Sequence, residues 1–157
     1  TSGDGGANEH PHMATLRRLH TAVAEFEVMG GTFDTHVKNQ VLREAVSSLP
    51  RVMDDGAPPV VCEVGFNAGY SSVTFLLTHP TCRVVSFDIG EHAASFVAKS
   101  WIDHEFPDRH QFVIGDSRMT LLAWQDRCDL FFIDGGHEYS LVNSDMKQMY
   151  RITNDHY

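Results

Sequence analysis

Basic residues are scarce. Lys and Arg number 12 against 21 Asp and Glu, for a formal charge of −9. A nucleic-acid backbone or an anionic membrane surface calls for the opposite sign, so neither is an expected partner. Cysteine is scarce too. Cys62, Cys82 and Cys128 are an odd number, and no C-x-x-C spacing suggests a metal or redox motif. Cys62 and Cys128 lie in apolar runs and read as buried thiols, for which a reducing compartment is the simpler setting. No apolar run approaches the ~20 residues of a membrane span. The first residues lack the basic and apolar parts of a secretory signal. A cytoplasmic location is the expectation from these absences.

What remains is one acidic domain. Its 157 residues are 42% hydrophobic and 21% charged, close to globular averages. A chain of this length buries a core without needing a disulfide or metal staple. Its 10 histidines would offset much of the charge at mildly acid pH.

Residues 1–9 are Gly-rich and polar and read as a flexible tail. Residues 10–57 form a helical segment. Over about 13–29, Leu16, Leu19, Val23 and Phe26 recur at helical spacing, and Gly30-Gly31 ends the pattern. Asp34 or Thr35 then reads as a cap. Val37, Val41, Leu42, Ala45, Val46 and Leu49 make a second stripe. Packing against a sheet is the expected job of both helices, with cover over a ligand site as the alternative.

From residue 58 the rhythm changes. Apolar strands are expected at 60–65, 83–88, 111–114 and 129–134. Helices are expected at 71–78, 91–106, 119–124 and 139–153. Strand and helix alternate four times, and the strands are continuous apolar runs. That pattern indicates an α/β fold with an open parallel sheet covered on both faces.

In such sheets ligands bind at the carboxyl ends of the strands. Each strand here ends on or near an acid: Glu63, Asp88, Asp116 and Asp134. Any one of them is equally well explained as a helix cap; four together indicate a ligand site. The first turn reads Glu63-Val64-Gly65-Phe66-Asn67-Ala68-Gly69-Tyr70-Ser71. Its glycines permit a tight turn and close backbone approach. The spacing is G-x-x-x-G, not the G-x-G-x-x-G of a dinucleotide site, so a diphosphate is disfavoured. Asp88, at the end of the second strand, is placed to accept from both hydroxyls of a ribose, or else to cap the next helix. After the fourth strand comes Asp134-Gly135-Gly136-His137-Glu138-Tyr139. Its glycines present His137 near the strand tip as a general base, a metal ligand, or an imidazole bonded within the turn. Glu138 reads as a first-turn helix acid. Tyr70 and Tyr139 either line a pocket or simply pack.

These residues resemble a known family. EVGFNAGYS followed by FIDGGHEY is similar to class I S-adenosylmethionine-dependent methyltransferases, and more narrowly to the methyltransferase-24 group, over about residues 59–150. The resemblance implies a Rossmann-like three-layer α/β/α sandwich with four strands in the order 3-2-1-4, preceded by two N-terminal helices. It implies that residues 58–157 are a partial S-adenosylmethionine-binding domain. Glu63, Gly65, Phe66, Asn67, Gly69 and Ser71 then hold the methionine part of the cofactor. Asp88 takes the ribose, and Asp116 with Ser117 takes the adenine. Asp134 lies by the methyl-transfer centre, and His137 and Asp134 are the catalytic pair.

The implied activity is methylation of a hydroxyl oxygen on a small-molecule acceptor. The alternative is a methyltransferase-like binding module without turnover. A complete domain of this class has seven strands, and the chain is expected to be truncated after the fourth. The acidic pair that completes a divalent-metal site in relatives has no counterpart here, so no metal ligands are assigned. The fourth strand would be left as an apolar edge, which a second copy, a partner chain or the N-terminal helices would cover.

Overall fold

The computed structural model describes residues 11–26 and 36–154. The tail at 1–9, the Gly30-Gly31 stop and the cap at Asp34 or Thr35 lie outside them. The elements run α1 (Pro11–Val23), α2 (His36–Ser47), β1 (Val60–Val64), α3 (Tyr70–Thr78), β2 (Arg83–Asp88), α4 (Ala93–Glu105), β3 (His110–Ile114), α5 (Ser117–Ala123), β4 (Leu130–Ile133) and α6 (Tyr139–Asn154). All four strands are parallel, in the order β3-β2-β1-β4.

The sheet is covered on both sides. On one face Val61 and Val84 meet Val73, Phe75 and Leu76 of α3 and Ala94, Ala98 and Ile102 of α4. On the other, Cys62, Val64, Val85 and Phe87 meet Leu121 of α5 and Ile152 of α6. Alternate residues of one strand feed alternate cores, as the pleat requires. The N-terminal helices join the α3 face of the sheet: α1 packs on α3 and α4, and α2 packs on α3 and sends Lys38 to Phe132 of β4. Leu16, Leu19, Val23, Leu42 and Val46 are buried there. The hydroxyl of Tyr70, at the start of α3, lies 2.7 Å from Nδ1 of His20 on α1. Tyr70 thus fastens two helices together.

β1 and β2 are buried along nearly their whole length, whereas β3 and β4 are only partly covered. Continuous apolar runs therefore mean full burial only for the two inner strands. Among the described residues, no strand pairs with the outer edge of β4.

The two sulfurs read as free thiols are joined. Cys62 of β1 and Cys128, just before β4, form a disulfide with their Cα atoms 5.7 Å apart. Only Cys82 is a free thiol, and it is buried. Sixty-six residues separate the pair in sequence, and pairing of β4 against β1 brings the two together. The same end of the sheet is pinned by Asp129. Its buried carboxylate accepts from Val60 N at 2.7 Å and pairs with Arg127, which also reaches Asp55.

Candidate functional site

The strand order reverses between β1 and β4, so the crevice of this sheet opens at their carboxyl ends. Backbone hydrogen bonds hold all four ends level. Gly65 N donates to Phe87 O at 2.9 Å, Gly115 N to Asp88 O at 2.9 Å, and Asp134 N to Val64 O at 2.8 Å. The segments Gly65–Gly69, Asp88–Gly90, Gly115–Ser117 and Asp134–His137 therefore share one end of the sheet. The sequence-predicted residues are brought together as a group, but they do different things within it.

Glu63 is fully buried between β1 and α3. Ser71 Oγ donates to it at 2.5 Å, Ser86 Oγ at 2.6 Å, and Ser72 Oγ also donates. Burial pushes its carboxyl above the usual range, and the three seryl donors pull against that. Glu63 thus fixes the start of α3 from below, with no surface facing a ligand. Phe66 is buried as well. Its ring stacks on His110 at 5.1 Å and packs on Phe112 at 4.8 Å, so it can offer a ligand only backbone.

The turn between them requires its glycines. Gly65 has φ +94°, and a Cβ there would sit 2.5 Å from the carbonyl oxygen of Asp134. Asn67 also adopts positive φ, at 48°. Gly69 caps α3 with φ 75° and, lacking a side chain, makes no side-chain bond to the leading amides of that helix.

Asp88 builds this turn. Its Oδ2 accepts from Phe66 N at 2.8 Å and Asn67 N at 3.1 Å, and its Oδ1 accepts from Gly90 N at 2.8 Å. A carboxylate has about four acceptor sites, so about one remains for a ligand hydroxyl. Asp116 caps α5 through Arg118 N at 2.9 Å and also holds the Arg118 side chain. That guanidinium keeps its carboxyl below the usual range. Ser117 Oγ donates at 2.7 Å to Asp145 of α6.

At β4, Asp134 pairs with Lys38, which arrives from the first turn of α2. His137 is exposed, and no hydrogen bond joins it to another described residue. The turn-bonded alternative for its imidazole is thus not the arrangement seen. Tyr139 is exposed and does not line the cavity beside it. A cavity of about 400 Å³ does open beside Asp134 and His137, between β4 and α6. Its walls are Phe131 and Ile133 from β4 and Val142, Met146 and Met149 from α6. Glu63, Asp88 and Asp116 do not line it. Among the described residues, no three His, Cys, Asp or Glu side chains converge as metal ligands. No described helix is long and apolar enough to cross a membrane.

Three residues escaped the sequence reading. Asp145 falls four residues after Leu141 and four before Met149, so a carboxylate on the apolar stripe of α6 was a visible signal. Its burial raises its pKa. Lys38 stood out only as a cation in a first helical turn. His110 opens β3 one residue before the expected strand. Its Nε2 lies 2.8 Å from Ser86 Oγ, which extends the Glu63 cluster. Burial, with help from the Lys99 charge, lowers its pKa to about 3.

This histidine therefore stays neutral where an exposed one would be charged, and it takes no part in the expected offset of acid charge. A depressed folded value means the unfolded chain binds the extra proton between about pH 6.5 and 3. The contribution is fully present above pH 6.5 and is lost as pH falls through that window. Urea unfolding of His110→Gln across pH 7 to 4 should show a shallower acid loss than the parent. The expected difference approaches about 1.4 kcal/mol per pH unit; identical slopes would contradict it.

A family model described as a methyltransferase domain, methyltransferase-24, matches residues 62–156, well over half of the chain. The chain belongs to the methyltransferase-24 family. No curated protein matches it in sequence. Among solved structures it is similar to cofactor-bound Rv0187 from MTB, with 19% identity and a TM-score of 0.68, over 95% of this chain and 63% of that one. It is similar to the O-methyltransferase from Bacillus cereus in complex with SAH, with 18% identity and a TM-score of 0.65, over 96% and 64%. It is also similar to the O-methyltransferase TomG from Streptomyces achromogenes in complex with SAM, with 14% identity and a TM-score of 0.64, over 93% and 62%. At these identities the likeness is one of fold: the methyltransferase-24 chain has the Rossmann-like sheet of those proteins. It spans a little under two thirds of their length.

Proposed function

We propose that this chain carries the S-adenosylmethionine site of a methyltransferase acting on a hydroxyl oxygen of a small molecule. The observation that carries the reading is the shared level of the four strand ends, with the Gly65–Gly69 turn closed against the Asp134 backbone.

The residues suit the cofactor. The amides that open α3 carry no side-chain cap and suit an α-carboxylate. The Asp88 carboxylate keeps about one acceptor site for a ribose hydroxyl. The loop at Asp116 and Ser117 is fixed by Arg118 and Asp145, which suits it to flank an adenine ring. Asp134 is 40% exposed and suits a nearby cation.

When bound, the cofactor supplies an electrophilic methyl group on a sulfonium. The chain supplies the rest. The turn and strand tips orient the reactants, which lowers the entropic part of the barrier. Asp134, paired with Lys38, stands beside the reacting centre. His137, exposed three residues further on, takes the proton from the acceptor hydroxyl. A second reading, a binding module without turnover, draws support from the uncovered β4 edge and the apolar cavity next to it.

Calorimetric titration with S-adenosylhomocysteine, with NAD alongside, tests the site. Saturable binding of the first and none of the second is expected. Absence of binding by S-adenosylhomocysteine would remove the proposal.

A further inference from the structure

Lys38 is oddly placed for a helix. It lies in the first turn of α2, a turn with no acidic residue. The helix dipole disfavours a cation there. Its ammonium instead pairs with Oδ2 of Asp134, 96 residues away in sequence, and lies 5.3 Å from the centroid of the Phe132 ring. Phe132 in turn meets Phe75 of α3 edge-on at 6.0 Å. Lys38 is thus held by a charge at the tip of β4 and by a ring one residue before the strand's end. Both partners of the ion pair keep access to solvent, 44% of the Lys38 side chain and 40% of that of Asp134. The carbonyl of Asp134 closes on Gly65, so the pair stands where the first turn and the last strand meet.

We infer that Lys38 is a positioning residue that sets how strongly the site discriminates the charged methyl donor from its neutral demethylated product. The inference rests on the S-adenosylmethionine reading. The donor carries a sulfonium, and the product carries an uncharged thioether. Asp134 would favour the donor, and Lys38 neutralises that preference. The pair therefore levels the two affinities and ties α2 across the site. An exposed pair of this kind commands only a modest energy, and added salt weakens it.

The test is calorimetric titration of the parent, Lys38→Met, Lys38→Arg and Asp134→Asn with S-adenosylmethionine and S-adenosylhomocysteine. The readout is the ratio of the two dissociation constants, which requires no acceptor. Lys38→Met should shift the ratio roughly two- to five-fold toward the donor. Asp134→Asn should shift it by a similar factor toward the product. Lys38→Arg should keep the parent ratio. If Lys38→Met weakens both ligands equally, Lys38 merely props the fold and the inference fails. It also fails if the variant weakens the donor selectively. If the parent binds neither ligand, it is the S-adenosylmethionine reading that fails, and the inference falls with it.

Discussion

Gly65→Ala should lose S-adenosylhomocysteine binding by more than about 100-fold and destabilise the fold by about 2–4 kcal/mol. Two effects combine at this position. The residue has φ +94°, where a side chain is strained. The added Cβ would also lie 2.5 Å from the Asp134 carbonyl oxygen and 2.7 Å from Gly135 N. Both are backbone atoms, so no rotamer change relieves the clash. The turn must lift, or the end of β4 must move away from β1. Either shift breaks the level arrangement on which the site depends. Calorimetry and urea unfolding measure the two effects separately. Near-parental affinity would show that this contact does not shape the site.

Asp88→Ala should be nearly as damaging, for a different reason. The parent carboxylate satisfies three backbone amides, those of Phe66, Asn67 and Gly90. Truncation leaves three partly buried donors without that partner, at about 1–3 kcal/mol for each donor that water cannot reach. A loss of about 2–4 kcal/mol in unfolding free energy is expected, because water will reach some of them. Binding of S-adenosylhomocysteine should fall beyond detection, since the turn and the ribose acceptor are lost together. Asp88→Asn separates these roles. Its single carbonyl oxygen can still serve Phe66 and Asn67, while its amide cannot accept from Gly90. It should keep more stability than Asp88→Ala yet bind weakly. Parental stability in both variants would mean that Asp88 serves the ligand alone.

The dual use of Asp88 marks the limit of what the sequence discloses. Strand ends and acids were legible because they follow rules of local pattern. β2 runs over Arg83–Asp88 as its apolar run indicates, and the order β3-β2-β1-β4 agrees with the family resemblance. Whether a carboxylate faces a ligand or its own backbone depends on where the neighbouring loops close. Glu63 looks like a site residue in the string Glu63-Val64-Gly65, but strand alternation turns it inward toward Ser71, Ser72 and Ser86. The Cys62–Cys128 disulfide was hidden for a similar reason. Nothing in a separation of 66 residues marks the pair until β4 is laid beside β1. Lys38 was hidden most deeply, since its partner lies on the far side of the chain.

The proposed site requires a ligand lying across the four strand ends. The most direct test follows backbone amide resonances of the ¹⁵N-labelled protein as S-adenosylhomocysteine is added. Shifts should concentrate at Gly65–Ser71, Asp88–Gly90, Gly115–Ser117 and Asp134–His137. Shifts confined to Val142, Met146 and Met149, in the cavity between β4 and α6, would contradict a site at the strand ends.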